Sequence, residues 1–194
     1  MTRSGPVTSD TSTIALGLAQ IRVLNSADNI GNIHPAGVAG DSIGALANTK
    51  FTGNTDWFRL ESGFPLLEDY VVPIREAASL ECAFKEITPY NMAMAYGLDP
   101  VGDYAAVHSG EVGLGARIAP EYVRMEARYT FPNGTNYMDI IFPRAQVSAA
   151  VEIDLQIEDA AAVPVIFEAK RADSEVSDGD GVWDAKPLGR ICWT

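Results

Sequence analysis

Gly40-Asp41-Ser42-Ile43-Gly44 has the spacing of a G-x-S-x-G nucleophile elbow. That chemistry needs the serine on a sharp strand-to-helix turn, with small neighbours so that the backbone can bend. The lead-in here, His34-Pro35-Ala36-Gly37-Val38-Ala39, is no buried strand, and the chain lacks βα alternation. Ser42 therefore reads as part of a Gly-rich loop. His34 and His108 are the two histidines, both in expected loops, and no H-x-x-x-H spacing makes them ligands. Asp178-Gly179-Asp180-Gly181 begins like a calcium loop, but Val182 stands where the third oxygen ligand belongs, so a solvated turn is expected. Asn133-Gly134-Thr135 has the form of a glycosylation sequon and reads as a hairpin turn. Cys82 and Cys192 make neither a disulfide framework nor a zinc site, and Cys82 falls in the apolar phase of a strand, as a buried thiol would. There is no phosphate-binding loop and no dinucleotide fingerprint. No catalytic, cofactor-binding or metal-binding residue is expected, and the chain reads as a protein that is not an enzyme.

The elements that would hold any site are mostly strands. Residues 1–12 are rich in Ser and Thr and read as a flexible arm, and 13–194 as one domain. Thr13 to Leu24 alternates as a strand with a bulge near Ala19 and Gln20. Residues 25–56 are rich in Gly, Asn and Ala and read as a long insertion suited to contacting a neighbour. Short strands are expected at Trp57–Leu60, at Asp69–Arg75, where Pro73 marks an edge or a bulge, and at Ser79–Ile87. Thr88 is a good N-cap, Pro89 suits the first helical position, and Gly97 with Leu98 suits a left-handed stop, predicting a helix over 88–96. Tyr122–Phe131 and Tyr137–Phe142 read as a hairpin around Pro132-Asn133-Gly134. Val147–Ile157 shows the cleanest alternation, Val163–Ala169 follows as a strand, and Leu188–Trp193 closes the chain. The expected fold is mainly β: a β-sandwich or barrel of about eight strands with one flanking α-helix.

Composition limits function further. The chain has 194 residues, is 47% hydrophobic and carries a net charge of −12. That charge argues against sequence-independent nucleic-acid binding, which needs Lys and Arg on phosphates. It is compatible with a wall past which DNA slides without sticking. With no apolar run of about 18 residues and a polar start, neither a membrane span nor a signal peptide is expected. Synthesis in the cytoplasm follows as an expectation.

Two segments carry a resemblance. Ser79–Pro100 (SLECAFKEITPYNMAMAYGLDP) and Met138–Asp173 (MDIIFPRAQVSAAVEIDLQIEDAAAVPVIFEAKRAD) resemble the major tail tube proteins of long-tailed, siphovirus-like bacteriophages. The first has their amphipathic strand running into a Thr-capped helix. The second has a strand, a Pro-basic-Ala turn, a long alternating strand, an acidic-Ala connection and a closing strand. The ending WDAKPLGRICW, Trp183–Trp193, also fits.

The resemblance implies a structural virion protein. It forms hexameric rings stacked into the tail tube around a tape-measure protein, with the tail terminator and baseplate or tail-tip proteins as further partners. The tube then conducts DNA into the bacterial host without binding it specifically. With about four lumen-lining strands per subunit, spaced ~4.8 Å and tilted ~45°, the ring's backbone diameter is roughly 50 Å. The chain order places Glu81, Lys85, Glu152 and Asp154 on the lumen face. The arm and residues 25–56 would bridge stacked rings. Other classes remain open: a tail terminator, a head-decoration protein, or a carbohydrate-binding module using Trp57, Trp183 and Trp193.

Overall fold

The computed structural model describes residues 17, 19–98, 112–113, 120–132, 134–148, 151–153 and 161–193. The chain is mainly β, and its described residues form one antiparallel seven-stranded sheet and two α-helices. In chain order the elements are β1 (Gln20–Asn25), α1 (Ser26–Asn29), β2 (Leu46–Ser62), β3 (Leu67–Phe84), α2 (Pro89–Ala95), β4 (Val123–Thr130), β5 (Tyr137–Val147), β6 (Val163–Ala169) and β7 (Arg190–Trp193). The sheet order is β1-β4-β5-β6-β3-β2, with β7 also paired to β5. It is not a closed barrel. The sheet curls so that its two ends share one core. Ile21 of β1, Met125 of β4, Phe142 of β5, Phe167 of β6 and Leu80 of β3 pack in a single cluster. Phe51 of β2 brings its ring to 6.3 Å from that of Phe142.

The β4–β5 hairpin forms around Pro132–Gly134 as its turn residues require. Phe131 N donates to Asn136 O at 2.9 Å, and Gly134 takes φ +71°. On β4, Val123, Met125, Ala127 and Tyr129 face the core, while Arg124, Glu126 and Arg128 take the other side. The helix of the 88–96 segment is α2. Thr88 Oγ1 accepts from Asn91 N at 3.1 Å, and Pro89 opens the first turn. Gly97, at φ +69°, lets Leu98 N donate to Ala93 O, which satisfies an orphan carbonyl.

Four expectations change. The three short strands between Trp57 and Ile87 are parts of two long ones, of 17 and 18 residues. Their exposed outer halves carry no periodic core signal across the break at Ile74, so the sequence pattern fragments what the backbone ladder joins. The described residues hold two α-helices, because Asn25 caps a single turn, α1, by accepting from Asp28 N at 3.2 Å. Pro143-Arg144-Ala145 is no turn. β5 runs through it from Tyr137 to Val147, with a register shift against β4 between Val123 and Met125. A proline fits there because a bulge needs no ladder donor. Finally, Ser148 and residues 151–153 lie outside any strand, so the long strand expected over Val147–Ile157 does not include them. Leu155 and Ile157 lie outside the described residues.

Of the segment 25–56, everything from Leu46 onward belongs to β2. The part before it is pinned to β4. Arg124, wholly buried, donates to the carbonyls of Asn29, Asn32 and His34 at 2.8, 2.7 and 2.8 Å. Its Nε reaches Glu126 at 2.7 Å, and the Glu126 carboxylate accepts from Ala36 N and Gly37 N, both at 2.9 Å. One buried ion pair thus satisfies five backbone groups of a loop that has no ladder of its own.

Candidate assembly surface

The most distinctive surface is the β2–β3 hairpin. Near its base the ribbon belongs to the sheet, since β6 pairs with Ser79–Phe84 of β3. Beyond Ser79 the two strands pair only with each other among the described residues. From Phe51 to Phe58 the ribbon runs roughly 23 Å.

Residues directly opposite in an antiparallel pair share a face, and alternate residues along a strand switch faces. At the base, Thr49 with Cys82 and Phe51 with Leu80 face the core. The other face there is polar, with Lys50 opposite Glu81 and Thr52 opposite Ser79. A bulge follows between Asp56 and Trp57, where Ile74 of β3 has no opposite number and Pro73 pairs with Trp57. Past the bulge the phase is inverted. Phe58 with Val72, Leu60 with Tyr70 and Ser62 with Leu67 lie on the face turned away from the core. The core-side face of the tip carries Trp57 opposite Pro73, Val71 opposite Arg59, which bonds Glu68 at 3.0 Å, and Glu61. Phe58, Leu60, Leu67 and Tyr70 are 52, 47, 65 and 63% exposed, and Phe64 at the turn is fully so. An apolar stripe this long on a free ribbon marks an interaction surface. A two-stranded ribbon is at best marginally stable in water by itself.

The sheet face behind the ribbon's base is mixed in charge. Lys50 Nζ lies 3.5 Å from Glu81, and Lys170 Nζ lies 2.7 Å from Glu168. The Lys170 ammonium, with help from the Ser148 hydroxyl, holds the Glu168 carboxyl below its ordinary range against the opposing effect of desolvation. At the other end the same outer face is covered. Trp183, fully buried, packs with Ile141 and Ala172 and donates from Nε1 to Ile30 O at 2.5 Å.

The expected lumen residues therefore sit in different settings. Glu81 and Lys85 are on or beside the outer face of β3, Glu81 half-buried and Lys85 exposed. Glu152 is exposed but belongs to no strand. Asp154 lies outside the described residues, so the structure brings together only Glu81 and Lys85. The ribbon's inverted phase was readable in the odd position of Phe51 against the even positions of Phe58 and Leu60. Only the register reveals that these are opposite faces of one ladder.

The chemically suggestive motifs have structural settings. Ser42 follows a 3₁₀ turn at Ala39–Asp41, and its Oγ accepts from Gly44 N at 3.2 Å. His34 is exposed, and His108 lies outside the described residues. Asp180 caps Val182 N at 2.9 Å, while Asp178 pairs with Arg144 at 3.4 Å. Asn133 of the sequon lies outside the described residues. Cys82 and Cys192 are free thiols, and burial pushes the Cys82 thiol up to about 12. Among the described residues no cluster of three or more His, Cys, Asp or Glu could hold a metal ion. Likewise, no helix among them is long and apolar enough to cross a membrane.

No protein-family model matches the chain, and no characterised protein is similar to it in sequence.

Proposed function

We propose that this chain is a tail tube subunit of a long-tailed bacteriophage, which works by assembling into stacked hexameric rings. The observation that carries the proposal is the β2–β3 ribbon, which presents an apolar stripe away from its own core. A monomer gains nothing from such a stripe; an assembling subunit gains a contact. The outer face of β2, β3 and β6, with Glu81 and Lys85 on or beside it, is the surface we assign to the lumen. Its acids are matched by lysines, Lys50 on Glu81 and Lys170 on Glu168. A wall of matched charges neither binds a phosphate chain tightly nor repels it strongly, which suits DNA that must slide. Glu152 and Asp154 would complete that wall from the 151–160 segment. The tape-measure, terminator and tail-tip proteins would be the partners, and the virion tail the place. No cofactor is required.

Electron microscopy of the purified chain tests this. Long hollow tubes are the expected result. Single closed rings would favour a terminator, and a particle that stays monomeric at high concentration would overturn the proposal. The carbohydrate-binding reading loses one of its three aromatics, because Trp183 is fully buried in the core.

A further inference from the structure

We infer that the tip of the β2–β3 ribbon docks, head to tail, into an apolar groove on a second copy of this chain, between the base of β2 and β7. This takes up the self-assembly proposed above and names its contact. The groove holds about 150 Å³ and is lined by Phe51, Ala78, Phe142, Leu188 and Ile191, with Gly189 and Arg190. An apolar cavity of roughly this volume takes one benzene-sized ring. Beside it, β7 exposes Ile191 and Trp193 on the face shared with Ile140 and Met138. The chain thus carries two unsatisfied apolar surfaces, one a projecting stripe with a free aromatic apex, Phe64, and the other a slot.

One copy cannot close the two on each other. The slot opens beside Phe51, on the core side of the ribbon, whereas Phe58, Leu60 and Tyr70 lie past the bulge on the opposite side. A ribbon whose strands stay paired along their length, with bulges at Ile74 and Asp69, does not fold back through itself, so the complement must come from another molecule. Charge agrees. The tip has three carboxylates, Glu61, Glu68 and Asp69, against the single guanidinium of Arg59, and the slot is rimmed by Arg190. A tip-to-slot contact uses different surfaces on the two partners. It is heterologous, and propagates into a ring or a filament rather than stopping at a dimer.

The test mixes two full-length single-site variants, Phe64→Cys and Ile191→Cys, each also carrying Cys192→Ser and tags of different mass, under mild oxidation. A mixed disulfide should form in severalfold greater yield than either homodisulfide. Only background crosslinking, or a dominant Phe64→Cys homodisulfide, would overturn the inference. In parallel, Phe58→Lys with Leu60→Lys should leave the circular dichroism spectrum and melting temperature unchanged, because these side chains lie outside the core. The same pair should raise the half-assembly concentration seen by sedimentation at least tenfold, and an unchanged value would also overturn the inference. If Ile191→Cys is shielded from a thiol reagent in monomers and exposed on deleting residues 1–16, the slot belongs to the chain's own N-terminal segment, and the inference fails. Tubes without the mixed disulfide would leave the tail tube proposal standing and sink this contact. A crosslinked dimer that never forms rings or tubes would do the reverse.

Discussion

Replacing Arg124 with leucine strands the Glu126 carboxylate. Arg124 is wholly buried and Glu126 nearly so, and the guanidinium makes four hydrogen bonds, one to Glu126 and three to loop carbonyls. Each bond to a charged group counts for ~1.5–3 kcal/mol, but the sum overstates the loss because the loop can swing into water and resolvate its carbonyls. The stranded carboxylate cannot do so without leaving β4. Removing one partner of such a pair costs about 3–5 kcal/mol. For a chain of this size each kcal/mol moves the melting temperature ~2–4 °C, so a fall of roughly 6–20 °C is expected. The double replacement Arg124→Leu, Glu126→Leu removes the stranded charge and should recover at least ~2 kcal/mol relative to the sum of the singles. Denaturant unfolding of the four proteins supplies the cycle, and amide exchange at Ala36 and Gly37 supplies the local signal. Both amides donate to Glu126 and should exchange much faster in Arg124→Leu. A cost below ~1 kcal/mol, or strictly additive effects, would refute the idea that this pair holds the loop.

Three other outcomes follow from the same geometry. Cys82, with its thiol pushed up to about 12, should resist a thiol reagent at pH 8 in the native fold, while Cys192 reacts; both should react after unfolding. The carboxyls of Glu168, held down chiefly by Lys170, and of Asp184, held down by the Ser174 amide and hydroxyl, both lie below their ordinary range. Their contribution is present above the unfolded-state carboxylate range and is lost as pH falls through the folded-state values, so Glu168→Gln should flatten the acid limb of the stability profile. Gly189 sits at φ +128°, and an added Cβ would meet Ile141 O at 2.1 Å. Gly189→Ala should therefore cost about 3 kcal/mol by chemical denaturation, and a loss under ~1 kcal/mol would show that the β7 approach can shift.

Local chemistry was legible wherever a few adjacent residues decide it. Thr88, Pro89 and Gly97 specify α2 through caps that need only their own neighbours. Val163–Ala169 alternates against one buried face and is β6 as expected. The outward-pointing Arg124, Glu126 and Arg128 were also legible as one face of β4, but the burial of Arg124 and Glu126 was not. That burial depends on a loop from residues 29–37 folding over them, ~90 positions away in the chain, as the bond from Arg124 to His34 shows. The β2–β3 ribbon divides in the same way. Its alternating phases are in the sequence, and so is Pro73 at the irregularity. The union of three apparent strands into two, and the turning of Phe58 and Leu60 away from the core that Phe51 enters, come from cross-strand register. The sequence by itself determined a mainly β chain, its capped helix and its acidic balance, because propensity, capping and charge are properties of residues and near neighbours. Which polar faces are covered, and which apolar face is left for a partner, only the tertiary structure decided, because burial is a relation between segments far apart in the chain.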